Sequence, residues 1–396
     1  MDSKTRKIRM GMVGGGQGAF IGEVHRMAAA LDGKIELVCG AFSRNPENCA
    51  STGKALCLDP NRSYTSYQQM FAMEAELPAE QRMDFVAIVT PNNSHFDIAK
   101  LALEHGFHVL SDKPATFNLQ EALDLKQLIN QHQRLYALTH TYNGYPMVKQ
   151  AKAMVANGEL GKVRKVVVEY PQGWLAAEPD SDNKQAAWRL DPAQSGISCC
   201  MGDIGVHAAN LAEYICGDHI DQICADLNSI VAGRELDDDG VVLLKFAKGA
   251  KGVLMASQIS VGEENALNIR IYGEHAGLKW SQQEPNSLWQ VFNDKPAKLY
   301  RTGVGDLYPG AQAATRTPAG HPEGYLEAFA NIYGNFAAQL HAFNNQHTCD
   351  NQTFDVPGIE EAIRGMAFIE NTVSASSSEQ KWHPLSLTPT PAPSKR

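Results

Sequence analysis

Near the start of the chain, the run Val13-Gly14-Gly15-Gly16-Gln17-Gly18-Ala19 limits the possible folds more than any other stretch. It follows the apolar run Ile8–Val13, which predicts a strand, and precedes a segment to about Leu31 that predicts a helix. Gly14, Gly16 and Ala19 fit the spacing G-x-G-x-x-G/A. The first glycine permits a sharp turn, and the second lets a pyrophosphate approach the backbone. The small third residue lets helix and strand pack closely. The first N–H groups of the helix then face the phosphates. A glycine-rich loop alone is often only a turn. Its place on the first strand of an α/β series makes Gly14, Gly16 and Gln17 candidate dinucleotide contacts. No G-x-x-x-x-G-K-[ST] run is present, which disfavours a Walker-type triphosphatase.

The series that follows alternates strand and helix. Ile35–Phe42 predicts a second strand, after which Asn45 caps and Pro46 opens a helix. Phe85–Val89 is wholly apolar, as a central parallel strand buried on both faces requires. Ser94-x-x-Asp97 reads as a capping box for a helix that stops at Gly106. Phe107–Leu110 predicts a strand, Asn118-x-x-Glu121 a helix start, and Leu135–Thr139 the last strand. Repetition of this order implies right-handed crossovers and a doubly wound parallel sheet.

Past Pro146 the pattern changes. A helix at about Met147–Asn157 ends at Gly158, and strand-like runs follow at Val163–Tyr170, Ile223–Val231, Val241–Phe246, Gly252–Val261, Leu267–Tyr272 and Leu288–Phe292. Strands without intervening helices imply a mostly antiparallel sheet. Helices at about Val206–Ile215, Tyr325–Asn344 and Gly358–Ser374 are expected to cover one of its faces. The expected organisation is an α/β chain with a dinucleotide-binding Rossmann domain over residues 1–145. A substrate-binding and oligomerisation α/β domain follows over 146–380, and a mobile Pro/Ser/Thr-rich tail over 381–396.

Composition narrows the partners. With 396 residues, 43% of them hydrophobic, the chain is long enough for two buried cores and too apolar for a disordered one. A net charge of −9 disfavours general binding to nucleic acid or anionic membranes. No window approaches the about 18–20 apolar residues of a membrane span, and no secretory signal is evident, so the expected location is the cytoplasm. The 8 cysteines contain no C-x-x-C pair and read as scattered core residues of a reduced compartment. Cys199-Cys200 reads as packing. The acidic run Asp237-Asp238-Asp239 reads as a solvated hairpin turn and lacks calcium-loop spacing, so no metal is expected.

The second strand ends in Phe42-Ser43-Arg44, without the acidic residue that binds a ribose 2′-hydroxyl. A hydroxyl and a guanidinium suit the 2′-phosphate of NADP, so Ser43 and Arg44 favour NADP over NAD. The alternative is a solvated Arg44 and NAD held by other contacts. Lys113, in Ser111-Asp112-Lys113-Pro114, falls at the carboxyl end of a strand, where open α/β sheets bind ligands. By itself it reads equally as a surface lysine. Asp203 and His207, in Gly202-Asp203-Ile204-Gly205-Val206-His207, stand one helical turn apart and share a face. Oxidation of a secondary alcohol needs a base for the hydroxyl proton, which an imidazole supplies, and an ammonium stabilises the developing alkoxide.

Together the N-terminal glycines, Thr90-Pro91-Asn92-Asn93-x-His95, Asp112-Lys113-Pro114 and Asp203-x-x-x-His207 resemble the Gfo/Idh/MocA oxidoreductases. That family includes glucose–fructose oxidoreductase and inositol dehydrogenase. The resemblance spans roughly residues 6–375. It departs from the usual Glu-Lys-Pro at Asp112, and in a glycine loop extended by Phe20-Ile21-Gly22. It implies that Lys113 contacts the substrate hydroxyl and the nicotinamide ribose and that His207 is the general base. Asp203 would bind substrate hydroxyls or orient the base. Thr90, Pro91, Asn92 and His95 would flank the ribose and nicotinamide of NADP or NAD. Tyr142-Asn143 falls where the family carries an Asn near substrate.

Trp188-Arg189-Leu190-Asp191-Pro192 resembles the family's W-R-x-D-P stretch, so Arg189 reaches substrate or serves as a structural ion-pair partner. His321, in Gly320-His321-Pro322-Glu323-Gly324-Tyr325, is either a substrate ligand on a covering loop or part of a helix-entry turn. The implied activity is NAD(P)-dependent oxidation of a sugar, sugar derivative or cyclitol by a homodimer or homotetramer. An NAD-dependent glycoside hydrolase and a non-catalytic dinucleotide-binding regulator are alternatives on the same scaffold.

Overall fold

The computed structural model describes residues 6–178 and 184–389. These residues form two compact units. The first holds a five-stranded sheet of β1 (Ile8–Gly14), β2 (Ile35–Ala41), β3 (Phe85–Val89), β4 (His108–Ser111) and β5 (Tyr136–Leu138). All pairs are parallel and the order is β2-β1-β3-β4-β5. The reversal of strand order between β1 and β3 is the topological switch point at which such sheets bind ligands.

Alternate residues of each strand feed two cores. Ile8, Met10, Met12, Phe85 and Ala87 pack with the helix Phe20–Ala30 and the helix Tyr325–Asn344 on one face. Val13, Cys39, Val86, Ile88 and Val109 pack with the helices Tyr67–Glu76, His95–Glu104 and Leu119–His132 on the other. Burial on both faces is why β3 carries no polar residue. The expected cap at Asn45 forms, its side chain accepting from the Asn48 N–H behind Pro46. The expected capping box at Ser94 does not. The Ser94 hydroxyl donates to Thr90 Oγ1 and to the Pro91 carbonyl, tightening the turn after β3.

Helix Tyr325–Asn344 corrects the expected organisation. Its bounds are as predicted, but it returns to the first unit, which contains residues 325–362, instead of covering the antiparallel sheet. An apolar helical stripe states that a face is buried, without stating against which sheet.

The second unit is built on nine strands in the order β13-β12-β11-β10-β6-β9-β8-β7-β14. They are β6 (Lys165–Pro171), β7 (Ile220–Asn228), β8 (Asp239–Phe246), β9 (Lys251–Ser257), β10 (Asn268–Tyr272), β11 (Gly277–Ser281), β12 (Ser287–Val291), β13 (Lys298–Arg301) and β14 (His383–Pro384). Every pair is antiparallel except β6 with β9. The short strands β11, β13 and β14 are additions to the expected set. β14 pairs with Gln222 and Ile223, and Trp382 beside it packs on the Lys245 ammonium, so the chain just past 380 is anchored to the sheet. The expected tail from 390 onward lies outside the described residues.

The acidic run is a second correction. Asp239 and Gly240 begin β8 instead of forming an open turn, and Asp237 and Asp238 are buried. Asp238 accepts from the Ile230 and Val231 N–H groups and from Arg234. Asp237 accepts from the Ser198 hydroxyl and the Cys199 and Met201 N–H groups at 2.8–3.0 Å. Those donors convert two carboxylates from solvated to structural groups. They also fasten the segment that leads into Asp203. Among the described residues, no helix is long and apolar enough to cross a membrane.

Candidate active site

In the first unit, the glycine loop sits at the switch point. A Cβ on Gly14, which has φ +88°, would lie 2.7 Å from the Val89 carbonyl and 2.9 Å from Thr90 Cγ2. A Cβ on Gly16 would lie 2.9 Å from the Phe42 carbonyl oxygen, which the Gly16 N–H already reaches. The loop is therefore drawn against the ends of β2 and β3, and only glycine fits. The helix Phe20–Ala30 that follows has no side-chain cap. The N–H groups of its first turn have no intrahelical acceptor, which is the arrangement that receives an anion. A dinucleotide fits this cradle.

The close packing of helix on strand falls elsewhere than expected. Gly22, not Ala19, meets the loop, with its Cβ position 2.3 Å from Gly15 Cα. Ala19 instead turns the chain, its N–H donating to the Gly16 carbonyl. The three residues Phe20-Ile21-Gly22 shift the small residue one turn along. Gln17 is pinned by its N–H to Thr52 Oγ1 and by its carbonyl to Asn48 Nδ2. Ser43 accepts from the Asn45 N–H and lies against the Gly16 position, while Arg44 is exposed beside it.

Thr90 closes the other side of the loop. His95 spends both ring nitrogens on backbone carbonyls. Nδ1 and Nε2 each lie 2.8 Å from a carbonyl oxygen, of Pro114 and Thr90 respectively, and the residue is 1% exposed. Burial holds this imidazole below its ordinary pKa against the two carbonyls, which favour the charged ring. His95 thus ties the end of β3, with Thr90, Pro91 and Asn92, to the loop after β4. That loop carries Lys113, whose N–H donates to Asp112 Oδ1 at 2.8 Å, and the Lys113–Pro114 peptide is cis. Burial penalises the Asp112 charge, but His25, Lys113 and Thr139 together outweigh it and hold the carboxyl well below its usual range.

In the second unit, a π-helical turn, Met201–Gly205, leads into the helix Val206–Cys216. Such turns are rare and recur at functional sites. Asp203 lies in the turn and His207 in the helix. Asp203 Oδ2 accepts from Arg189 Nε at 3.1 Å and from Gln258 Nε2 at 3.0 Å. Gln258 is fully buried, and its Oε1 accepts from the Cys199 thiol. The Cys199 thiol is itself pushed far up by burial, which suits packing and not nucleophilic attack.

The His207 ring meets the Tyr142 ring edge-on at 5.0 Å. The Tyr142 hydroxyl bonds to Tyr170 Oη and accepts from Asn265 Nδ2. Burial raises its phenol, and the Asp203 charge acts in the same direction. Asn143 donates to Asn210 Oδ1, and its own Oδ1 is buried without a hydrogen-bond partner. The Arg189 guanidinium lies 4.3 Å from the Trp188 ring and 5.7 Å from that of Trp174. Trp174 is 40% exposed and donates its indole N–H to Gln172.

The structure thus joins Arg189 to Asp203 and Tyr142 to His207. His321 joins neither pair. Its ring is exposed and hydrogen-bonds back to the Pro318 carbonyl, while buried Glu323 holds the loop by accepting from the Arg316 and Thr317 N–H groups. These contacts are those of a helix-entry turn. Sequence reasoning missed Trp174, Gln258, Tyr170 and Asn265. The only signal was polar or aromatic character at or near the ends of β6 and β9 and the start of β10.

Two family descriptions match this chain. The NAD-binding Rossmann fold of the oxidoreductase family covers residues 8–140, and the GFO/IDH/MocA C-terminal domain covers residues 148–279. The chain is a Gfo/Idh/MocA oxidoreductase. This Gfo/Idh/MocA protein is 33% identical over 382 residues to the oxidoreductase YfiI of Bacillus subtilis (strain 168), spanning 96% of this chain and 97% of that one. It matches an inositol dehydrogenase homolog from Azotobacter vinelandii complexed with NAD+ at TM-score 0.92 and 34% identity, over 96% and 98% of the two chains. The structure of the Azotobacter vinelandii homolog complexed with NADH and myo-inositol matches at TM-score 0.89 and 33% identity, over the same shares. Like its family, this Gfo/Idh/MocA oxidoreductase is an NAD(P)-dependent enzyme.

Proposed function

We propose that the enzyme oxidises a secondary hydroxyl of a sugar, sugar derivative or cyclitol. The observation that carries this reading is the pair of polar clusters in the second unit, Asp203 held by Arg189 and Gln258, and the His207 ring set edge-on against Tyr142. A polyol buries many hydroxyls, and each needs a partner or costs about 1–3 kcal/mol. The unpaired Asn143 Oδ1 is an acceptor of the kind such a hydroxyl satisfies. The exposed Trp174 face, beside Arg189, suits the apolar face of a sugar or cyclitol ring.

When bound, the nicotinamide ring supplies the hydride acceptor. His207 takes the hydroxyl proton as general base, held edge-on by Tyr142. Asp203 accepts hydrogen bonds from substrate hydroxyls or orients the base, its charge balanced by Arg189. Lys113 stabilises the reacting oxygen with its ammonium, extended from a backbone that Asp112 and His95 fix. Gly14, Gly16 and the helix after them hold the pyrophosphate, and Ser43 and Arg44 favour NADP over NAD at the 2′ position. The myo-inositol complex of the Azotobacter vinelandii homolog supports a cyclitol among the substrates.

The open face of the second sheet carries Val241, Leu243, Trp289 and Leu299, each 40–44% exposed. Trp289 and Leu299 are direct cross-strand partners. This apolar face supports a homodimer or homotetramer, working in the cytoplasm. The test is a panel of inositols, aldoses and deoxy sugars with either cofactor, followed at 340 nm. Turnover of a polyol is expected, and its absence across the panel refutes the reading.

A further inference from the structure

The polar groups behind Lys113 include a chain that the reaction above leaves without a task. His25, on the helix Phe20–Ala30, is fully buried. Its Nδ1 is 2.7 Å from Tyr333 Oη. Its Nε2 is 3.9 Å from Asp112 Oδ2 and has no hydrogen-bond partner, although it is buried. The other oxygen of Asp112 is committed, accepting from the Lys113 N–H at 2.8 Å and the Thr139 hydroxyl at 2.7 Å. Phe329 and Tyr333 flank the imidazole edge-on at 4.6 and 5.8 Å, so it cannot swing away without opening the core.

The direction of the chain follows from its donors. An Nε2–H facing the carboxylate requires the Tyr333 hydroxyl to donate to Nδ1, and the phenol, its pKa raised by burial and by the Asp112 charge, keeps its proton for that bond. A neutral imidazole that accepts at Nδ1 carries its proton at Nε2, on the side of the carboxylate. A gap of 3.9 Å is an electrostatic contact and not a hydrogen bond. The contact sets the ring edge against Asp112 Oδ2 and limits where that carboxylate can turn. The helix behind the phosphate loop is thereby linked to the backbone of Lys113.

We propose that His25 is a positioning residue for Lys113, acting through Asp112. The effect on turnover rests on the dehydrogenase reading, whereas the effect on the lysine does not. A histidine that only filled the core would be replaceable by a residue of similar bulk.

The test uses His25→Leu, which keeps bulk without donors, and His25→Gln, which restores an N–H near the Nε2 position. Reactivity of Lys113 toward trinitrobenzenesulfonate is read by peptide mass spectrometry against the exposed Lys54 and Lys100. In His25→Leu, Lys113 is expected to react about threefold faster or more, with both references unchanged, as a loosened hydrogen-bonded loop implies. For a panel polyol that the wild type oxidises, kcat falls about tenfold with KM and NADH affinity within about twofold. His25→Gln recovers most of both effects.

Wild-type labelling and kcat in His25→Leu overturn the proposal. So does a His25→Gln protein as impaired as His25→Leu at equal melting temperature. If His25→Leu does not fold, Tyr333→Phe removes one hydroxyl from the same chain, and wild-type labelling there overturns the proposal. A wild type that oxidises no panel member sinks the dehydrogenase reading, and the labelling still decides the role of His25.

Discussion

Gly22→Ala is the substitution that most sharply tests the account of the glycine loop. The new Cβ would stand 2.3 Å from Gly15 Cα and 3.1 Å from the Gly15 carbonyl carbon and oxygen. These are backbone atoms of the loop itself, so no flexible side chain yields. Ordinary contact begins at 3.4 Å, leaving a shortfall of about 1.1 Å. Loop and helix must part by that amount, and overpacking of this kind costs about 1–3 kcal/mol. If the displaced loop must return to bind pyrophosphate, the whole cost falls on affinity, weakening NADH by about 5- to 150-fold. The assay is titration of NADH fluorescence, with a thermal melt alongside.

Gly18→Ala is the control. Unlike the helical Gly22 it has positive φ, and nothing lies within 4 Å of its Cβ position. It is expected to cost only the backbone preference, about 1 kcal/mol or less. Wild-type NADH affinity and melting temperature in Gly22→Ala would refute the reasoning, because the helix and loop would then have room that the packing denies them.

Four further outcomes are expected. Trp174→Ala raises the polyol KM by about 3- to 30-fold with NADH affinity unchanged, as loss of an exposed aromatic contact predicts, measured by steady-state kinetics. Arg44→Ala raises KM for NADP about tenfold and leaves KM for NAD within about twofold, since only the 2′-phosphate needs the guanidinium. Because the folded-state pKa of Asp112 is depressed, its ionisation stabilises the fold above its unfolded value near about 3.9 and that contribution is lost as pH falls below it. Asp112→Asn should therefore lower the urea midpoint at pH 7, with the gap from wild type closing progressively below about pH 4. Finally, p-nitrophenyl glycosides should release no p-nitrophenol, and release without net NADH would favour the glycoside hydrolase.

The parallel sheet was legible because its rules are local. A wholly apolar β3, Asn45 before Pro46 and Gly106 after a helix each act over a few residues, and each behaves as written. The buried state of Asp237 and Asp238 was not legible. Their donors come from Ser198–Met201 and Ile230–Arg234, and no pattern around the run itself announces them. The short edge strand β13 carries lysine and arginine and is largely exposed, which masks alternation.

At the site, Arg189, Asp203, His207 and Tyr142 could be chosen from sequence, because each lies in or beside a motif. Gln258 and Asn265 could not, since they enter only through strand ends that the sheet brings together. His25 was hidden for a related reason. A buried histidine on an amphipathic helix looks like core until its partners, 87 and 308 residues away in the chain, are in place.

In the proposed reaction Lys113 and His207 serve polyol oxidation with a nicotinamide coenzyme. Its most direct measurement is NAD(P)H formation at 340 nm by wild type and Lys113→Ala on the polyol panel, with NADH binding measured for both. Turnover of at least one polyol by wild type is expected, with a loss of about 100-fold or more in Lys113→Ala and NADH still bound. Full activity in the variant, or no turnover by wild type on any polyol, would contradict it.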